Sequence, residues 1–306
     1  MPTYNYARYI PEAIDSVLMQ SYEDFELIVI DDASRDNTAD IVARYARGDK
    51  RVQASVNAQN AGMVNNWNRC LSRASGEYIK FLFGDDRLES PHALARMAAV
   101  LDRNADMSLV ATARTIIDEH SNSIKTVSTY SGNESFPGAE IVADCLLERL
   151  NKIGEPSAVL FRKKQAERGF DPRYRQMVDL EMWFHLLEQG AFGYIDEPLV
   201  AFRKHPQQET VKNTANTELL IRESFLLLDE YSPKPYIRLS PWKRGYMNYL
   251  PLYSIWKIYR THKKLSRKEA LAYIDARYGR GKFYLYYPLF KLYKAYRRVV
   301  RGKHEL

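Results

Sequence analysis

Cysteine is nearly absent from this chain: of 306 residues only two are Cys, and Cys70 and Cys145 lie far apart, in no Cys-x-x-Cys or Cys/His cluster. That excludes a disulfide framework, argues against a structural zinc site or a dithiol redox centre, and suits a reducing compartment. Long apolar runs are missing too. No window approaches the roughly 18 consecutive apolar residues of a membrane-spanning helix, and Met1 to Ile10 has neither the cationic start nor the apolar stretch of a secretory signal. The expectation is a non-spanning protein on the cytoplasmic side of the membrane. No internal repeat or low-complexity tract is found. Acidic residues are scarce in one region alone. Tyr231 to Leu306 holds 19 Lys and Arg against 3 Asp and Glu, net +16, whereas the whole chain carries only +7. The remainder has 26 against 35, net −9, so two regions with different partners are expected.

What is present is enough apolar material, 45% of the residues, to bury the core of one large domain with an appendage. The first half alternates helix-like and strand-like segments, which points to an α/β fold on a mostly parallel sheet. Ile10, Ile14, Val17 and Leu18 share one helical face. Phe25 to Ile30 reads as a buried strand ending at Asp31-Asp32, and a helix follows over Asn37 to Arg47. Met63 to Ala74 reads as a helix, and Glu77 to Phe83 as a second buried strand ending at Gly84-Asp85-Asp86. Ser90 is the expected N-cap of the next helix, with Pro91 at its first position. Strands are expected over Met107 to Ile117, Ile124 to Thr129, Ser157 to Phe161 and Leu199 to Arg203, helices over Ala139 to Leu150 and Asp179 to Glu188. From Thr217 onward the pattern is helical.

Two strands that each end in paired carboxylates are the chemical signal, because ligands of open α/β sheets bind at the carboxyl ends of strands. Adjacent side chains on an extended backbone point to opposite sides, so Asp85 and Asp86 cannot easily serve one atom. One would reach a metal and the other a sugar hydroxyl. A hard cation, Mg²⁺ or Mn²⁺, favours such carboxylate oxygen.

From Pro2 to His205 the sequence resembles the family 2 glycosyltransferases of GT-A fold. The resemblance rests on an ordered set: Pro2-Thr3-Tyr4-Asn5, the strand ending Asp31-Asp32-Ala33-Ser34, Asn60-x-Gly62 with Asn68, Gly84-Asp85-Asp86, Asp179-Leu180-Glu181-Met182-Trp183, and Glu197-Pro198-Leu199-Val200 with His205. It implies a Rossmann-like mixed sheet over residues 1–210 and a helical, basic and aromatic region over 211–306. It also implies roles. Pro2 and Tyr4 would line the base pocket with Asn60 and Gly62, Asp32 would accept a hydrogen bond from the base, and Asp85 would hold the ribose. Asp86, with His205, would hold the metal, and Asp179 would be the base of an inverting transfer. The implied partners are a UDP-, GDP- or dTDP-sugar and a glycan or lipid-linked acceptor in polysaccharide or glycolipid synthesis. Plainer readings stand beside these: a solvated turn for either aspartate pair, a helix cap for Asp179, turn and cap residues for Asn60, Gly62 and Asn68, and a core position for Trp183. The segment Gly154-Glu155-Pro156-Ser157 is either an acceptor-side loop or a connector.

The sequence departs from the family pattern twice. An apolar strand is expected directly before Pro2, where Met1 stands, so a start upstream of the given sequence is expected. Gly84 occupies a position where relatives often carry another Asp. In the tail, 17 aromatics alternate with the cationic residues. A helical wheel places Tyr286, Leu289, Phe290, Tyr293 and Tyr296 on one face, with Lys291, Lys294, Arg298 and Arg301 largely off it. Such a face suits the interface of an anionic bilayer and peripheral attachment. A single-stranded nucleic acid is the competing partner for this composition, opposed by the acidic N-terminal region; a nucleotide-binding member without catalytic activity is a third reading.

Overall fold

Pro2–Thr3 (β1), the apolar run Leu27–Asp31 (β2) and Val52–Val56 (β3) form a parallel sheet with β2 in the middle. The structure, a computed structural model, describes residues 1–208, 210, 213, 216–262 and 265–302, with the side chains of 262 and 297–302 outside that description. Every β2 side chain is buried. The strand expected before Pro2 is represented here by β1 alone, which pairs Pro2 with Ile30 and Thr3 with Asp31. Strand β3 was not expected from the sequence. Of its residues Val-Gln-Ala-Ser-Val only Val52 is buried, so it carries almost no apolar signal. Helix α1 (Ile10–Leu18) turns Ile10, Ala13, Ile14 and Val17 inward, with Pro11 in its first turn where no amide donor is needed. Helices α2 (Thr38–Gly48) and α3 (Met63–Arg73) follow β2 and β3.

The second sheet is mixed. Its elements are Tyr78–Lys80 (β4), Arg87–Leu88 (β5), Met107–Ile117 (β6), Ser123–Val127 (β7), Glu134–Phe136 (β8), Val159–Arg162 (β9) and Ala191–Arg203 (β10). Their order is β4-β9-β6-β10-β5, with β7 on β6 and β8 on β10. Only β6 and β10 run parallel; the other pairs are antiparallel, so the expected mostly parallel sheet holds for the first three strands alone. The last strand is longer than expected because Pro198 interrupts it without ending it. Register shifts on either side of Pro198 form an irregularity that absorbs the missing donor.

Helix α4 (Ala93–Arg103) starts later than the Ser90-Pro91 signal indicates. Its N-cap is His92, and Ser90 accepts from the His92 and Ala93 amides in a preceding turn. Helix α5 (Gly138–Glu148) follows β8, and helix α6 (Val178–Leu187) directly precedes β10.

By compactness the chain divides into two units: Met1–Val142 with Asn151–Ala215, and Ala143–Leu150 with Asn216–Leu306. The junction expected at 210/211 involves residue 211, outside the described residues. The second unit holds α7 (Thr217–Tyr231), α8 (Pro241–His262), α9 (Arg267–Arg277) and α10 (Arg280–Gly302). Segment 143–150 belongs with these helices because Arg149 donates to Ser254 Oγ (2.7 Å) and Ser224 Oγ (2.9 Å). A capping box of Ser266 and Glu269 starts α9. Aromatic packing joins α8 to α10: Tyr249 stacks on Phe283 at 5.1 Å and meets Phe290 at 4.5 Å. Burying those two phenylalanines contributes about 1.5–3 kcal/mol each. Among the described residues no helix is long and apolar enough to cross a membrane.

Candidate functional site

Loops at the carboxyl ends of β1 and β2 are laced together. Asp32 N donates to Thr3 O, Asn5 N to Ser34 Oγ (2.8 Å) and Arg35 N to Asn5 Oδ1 (2.8 Å). The two aspartates ending β2 diverge. Asp31 accepts from the Ser34 amide (2.8 Å) and hydroxyl (2.5 Å), while Asp32 is buried and faces the segment before α3. Its Oδ1 accepts from Asn57 Nδ2 (2.7 Å) and Ala61 N (2.8 Å), its Oδ2 from Gly62 N (2.9 Å). Asn60 closes the clamp, donating to Asp32 O at 3.1 Å. Gly62 has φ +84°, a region that favours glycine. Asp32, Asn60 and Gly62 are thus brought together as one loop, beside the end of β1 that carries buried Pro2 and half-buried Tyr4. Asn68 is placed elsewhere, bonded to the Phe170 amide (2.6 Å) and carbonyl (2.9 Å) as a loop clasp.

The strand expected over Glu77 to Phe83 is only Tyr78–Lys80, so Asp85 and Asp86 stand in and after a turn beyond it, and they too face different ways. The Oδ2 of Asp85 lies 3.0 Å from His205 Nε2, both side chains buried. The His205 ring packs against Tyr9 (5.1 Å) and Tyr6 (6.3 Å), and among the described residues its buried Nδ1 has no hydrogen-bond partner. Asp86 turns to the opposite side, accepting from Ser157 Oγ (2.5 Å) and the Arg203 amide (2.9 Å). Burial first, then the like charge of Asp85, pushes the Asp86 carboxyl well above the usual carboxylate range, against those two hydrogen bonds. Gly84 has a steric reason. A Cβ there would come 3.0 Å from Tyr6 Cδ2 and 3.1 Å from Thr3 Oγ1, so a larger residue would require those side chains to give by a few tenths of an ångström.

Arg203, whose role the sequence did not reveal, ties this region together. Its side chain, 1% exposed, donates from Nε to Asp85 O (2.7 Å), from Nη1 to Ser121 Oγ (2.8 Å) and Asp118 O (3.1 Å), and from Nη2 to Glu12 Oε2 (2.5 Å). Burial pushes the Glu12 carboxyl up, but hydrogen bonds from Ser121 and Arg87 and the Arg203 charge outweigh it and leave the group lowered. The only sequence signal was an arginine closing an apolar strand two residues before His205.

Lys80 was also missed, and Ser157 was singled out only as the end of the 154–157 segment. The Lys80 ammonium donates to Ser157 O and sits close enough to Asp86 to feel its charge. Burial pushes Lys80 down to about 7 against that attraction. The unfolded chain keeps its proton up to about 10.4, so between about pH 7 and 10 the unfolded state holds a proton that the folded state lacks. The destabilisation is complete below pH 7 and is relieved as pH rises. Lys80→Met is therefore expected to raise Tm most at pH 6 and progressively less toward pH 10, as thermal denaturation across that range would record; a gain independent of pH would refute this.

Asp179 stands in the first turn of α6, half-buried, with Asn151 Nδ2 3.5 Å from its Oδ2. The same Asn151 shapes the following loop by accepting from the Ile153 and Gly154 amides at 3.0 Å. Trp183 is fully buried and donates to Gly154 O (3.1 Å), a core position. The loop continues through Glu155, paired with Arg114, to Ser157 on Asp86. One connected segment therefore runs from Asp179 to the Asp85–Asp86 dipeptide. Glu181, beside Asp179, is buried against Arg168 at 2.7 Å and is not an exposed helix residue.

Among the described residues no three His, Cys, Asp or Glu side chains converge on one point. The Asp85–His205 pair nevertheless fits a divalent ion of the kind that takes one or two protein ligands and completes its shell with phosphate oxygens and water.

Comparison with known proteins places these features in context. A profile described as Glycosyl transferase family 2 matches residues 1–170. EpsE of Bacillus subtilis (strain 168) is 29% identical over 257 residues, spanning 78% of this chain and 87% of its own. Residues 1–349 of Staphylococcus aureus TarS, solved with UDP-GlcNAc, superimpose with a TM-score of 0.64 at 17% identity over 97% of this chain and 90% of that fragment, whereas this chain spans 43% of the longer TarS chain. The mannosyltransferase PcManGT of Pyrobaculum calidifontis, solved with GDP-Man and Mn²⁺, gives a TM-score of 0.57 at 18% identity over 97% and 80% of the two chains.

Proposed function

This chain belongs to glycosyl transferase family 2 and has the GT-A fold, and on that footing we propose that it transfers a sugar, with inversion, from a nucleoside-diphosphate sugar to an acceptor hydroxyl. The observation that carries the reading is the Asp85–Asp86 dipeptide, with His205 on one side and Ser157 on the other, joined to Asp179 by the 151–157 loop. The loop made by Asp32, Asn60 and Gly62 forms the nucleotide side with Pro2 and Tyr4. Both Asp32 oxygens already accept from the protein, but a carboxylate has about four acceptor sites, so contact with a base remains open to it.

Asp85 and His205 are the pair assigned to Mg²⁺ or Mn²⁺, because they converge, while Asp86 faces Ser157 and serves as a neighbour that shapes the pocket. When bound, such a cation neutralises charge on the departing diphosphate. Asp179 takes the proton of the acceptor hydroxyl as that oxygen attacks the anomeric carbon and the bond to the diphosphate breaks on the opposite face. A single displacement of this kind inverts the anomeric centre. The acceptor is a glycan or lipid-linked glycan in surface polysaccharide or glycolipid synthesis, met by an enzyme held peripherally at an anionic membrane surface on the cytoplasmic side.

A thermal-shift panel of UDP, GDP and dTDP, each with and without Mn²⁺, tests the site. One nucleotide is expected to raise Tm by several degrees with Mn²⁺ present, since saturation at about a hundred times Kd stabilises the folded state by about 2.7 kcal/mol. Asp85→Asn should remove the Mn²⁺-dependent part. No shift with any nucleotide, or an unchanged Mn²⁺ increment in Asp85→Asn, would overturn the assignment.

A further inference from the structure

The helical wheel groups Leu289 and Tyr296 with Tyr286, Phe290 and Tyr293, but in the structure this face is divided. Phe290 is buried at 3% exposure against Trp242, Tyr246 and Tyr249, and Tyr293 meets Trp242 and Tyr246. The side that α10 leaves outward carries Leu285, Leu289, Leu292 and Tyr296, exposed by 68%, 48%, 69% and 63%. Their spacing of four, three and four residues makes one continuous stripe along the helix. Exposed leucines in such a row mean a surface that functions covered. We propose that this stripe lies in the headgroup region of an anionic bilayer and seats the enzyme there, which rests on the membrane-held transferase reading and names the residues that make the contact.

The same spacing would suit a second copy of the helix packed as a coiled coil, and charge decides between the two. Helix α10 has seven Lys and Arg and no Asp or Glu along its 23 residues. Two copies side by side would set like charges against each other with no acid to relieve them. Anionic headgroups relieve them instead, strengthening attachment by about fivefold for each cation near the surface. Lys282 is exposed beside the stripe, Lys291 is exposed farther round the helix, and the wider region from Tyr231 carries net +16. The helix is too polar to span, so it would lie in the plane of the interface.

Co-sedimentation of the full chain with phosphatidylcholine vesicles, and with vesicles containing phosphatidylglycerol, tests the proposal. Binding is expected with the anionic vesicles at low salt and little with the neutral ones. Leu289→Asp with Leu292→Asp should weaken it about tenfold or more, as should Lys282→Glu with Lys291→Glu. All four side chains are exposed, so folding should be retained; circular dichroism checks this, and the lysine pair still decides the matter if the leucine pair disturbs the helix. Equal binding to neutral vesicles, or no loss in either pair, overturns the proposal. So does a dimer in lipid-free buffer that the leucine pair dissolves. Donor hydrolysis in that buffer should be unchanged in both pairs, and its absence from the parent chain would fail the transferase reading without touching the vesicle result.

Discussion

Asp179→Asn is expected to lower sugar transfer by about a thousandfold, within the range of about 10² to 10⁴ that a positioned general base supplies, while nucleotide binding stays intact. The substitution keeps the side chain's size and an oxygen for Asn151 to reach, so the loop from Asn151 to Ser157 should hold its course. What disappears is the group that accepts the acceptor's proton. Initial transfer rates together with the nucleotide-dependent Tm shift give the two readouts. A variant that transfers at the parent rate removes Asp179 from the chemistry. If rate and nucleotide shift are lost together, the residue is a pin for the loop and not a base.

Arg203→Met is expected to be the most damaging single substitution for stability, on the order of 3 kcal/mol. The methionine fills much of the space but leaves Glu12, Ser121 and the carbonyls of Asp85 and Asp118 without the donors they face. Glu12 is partly exposed and can turn toward water or Arg87, which keeps the estimate at the lower end for a buried ion pair. Arg203→Lys should recover only part of the loss, because one ammonium cannot reproduce the planar fork that reaches acceptors on three segments. Urea denaturation would show both effects. Loss of stability below about 1 kcal/mol in Arg203→Met would mean that the guanidinium network is not holding the dipeptide in place.

Both predictions concern residues whose legibility differed. Asp179 was proposed from motif order, and it stands in the first turn of a helix whose N-cap is Met177. Arg203 was passed over because its significance depends on where Glu12, Ser121 and the Asp85 carbonyl lie, and none of these is near it in the chain. Strand β3 and the first half of β10 escaped for a related reason: one has a single buried side chain, and the other contains a proline that a bulge accommodates. The long apolar segments were legible because burial on both faces leaves an uninterrupted apolar run.

By itself the sequence determined the buried run that ends at Asp31-Asp32 and the separation of acidic and basic regions, while the order of the motifs carried the resemblance to the transferases; the strand expected to reach Phe83 stops at Lys80. The apolar run and the charge separation follow from local periodicity and composition, the meaning of the motif order from likeness to the family. Only the tertiary structure decided that Asp85, not Asp86, meets His205, that Asp86 meets Ser157 and Arg203, and which stripe of α10 stays outward. Those outcomes depend on partners as far as 117 and 120 residues apart and on which helix face the neighbouring rings cover, and no local pattern encodes either.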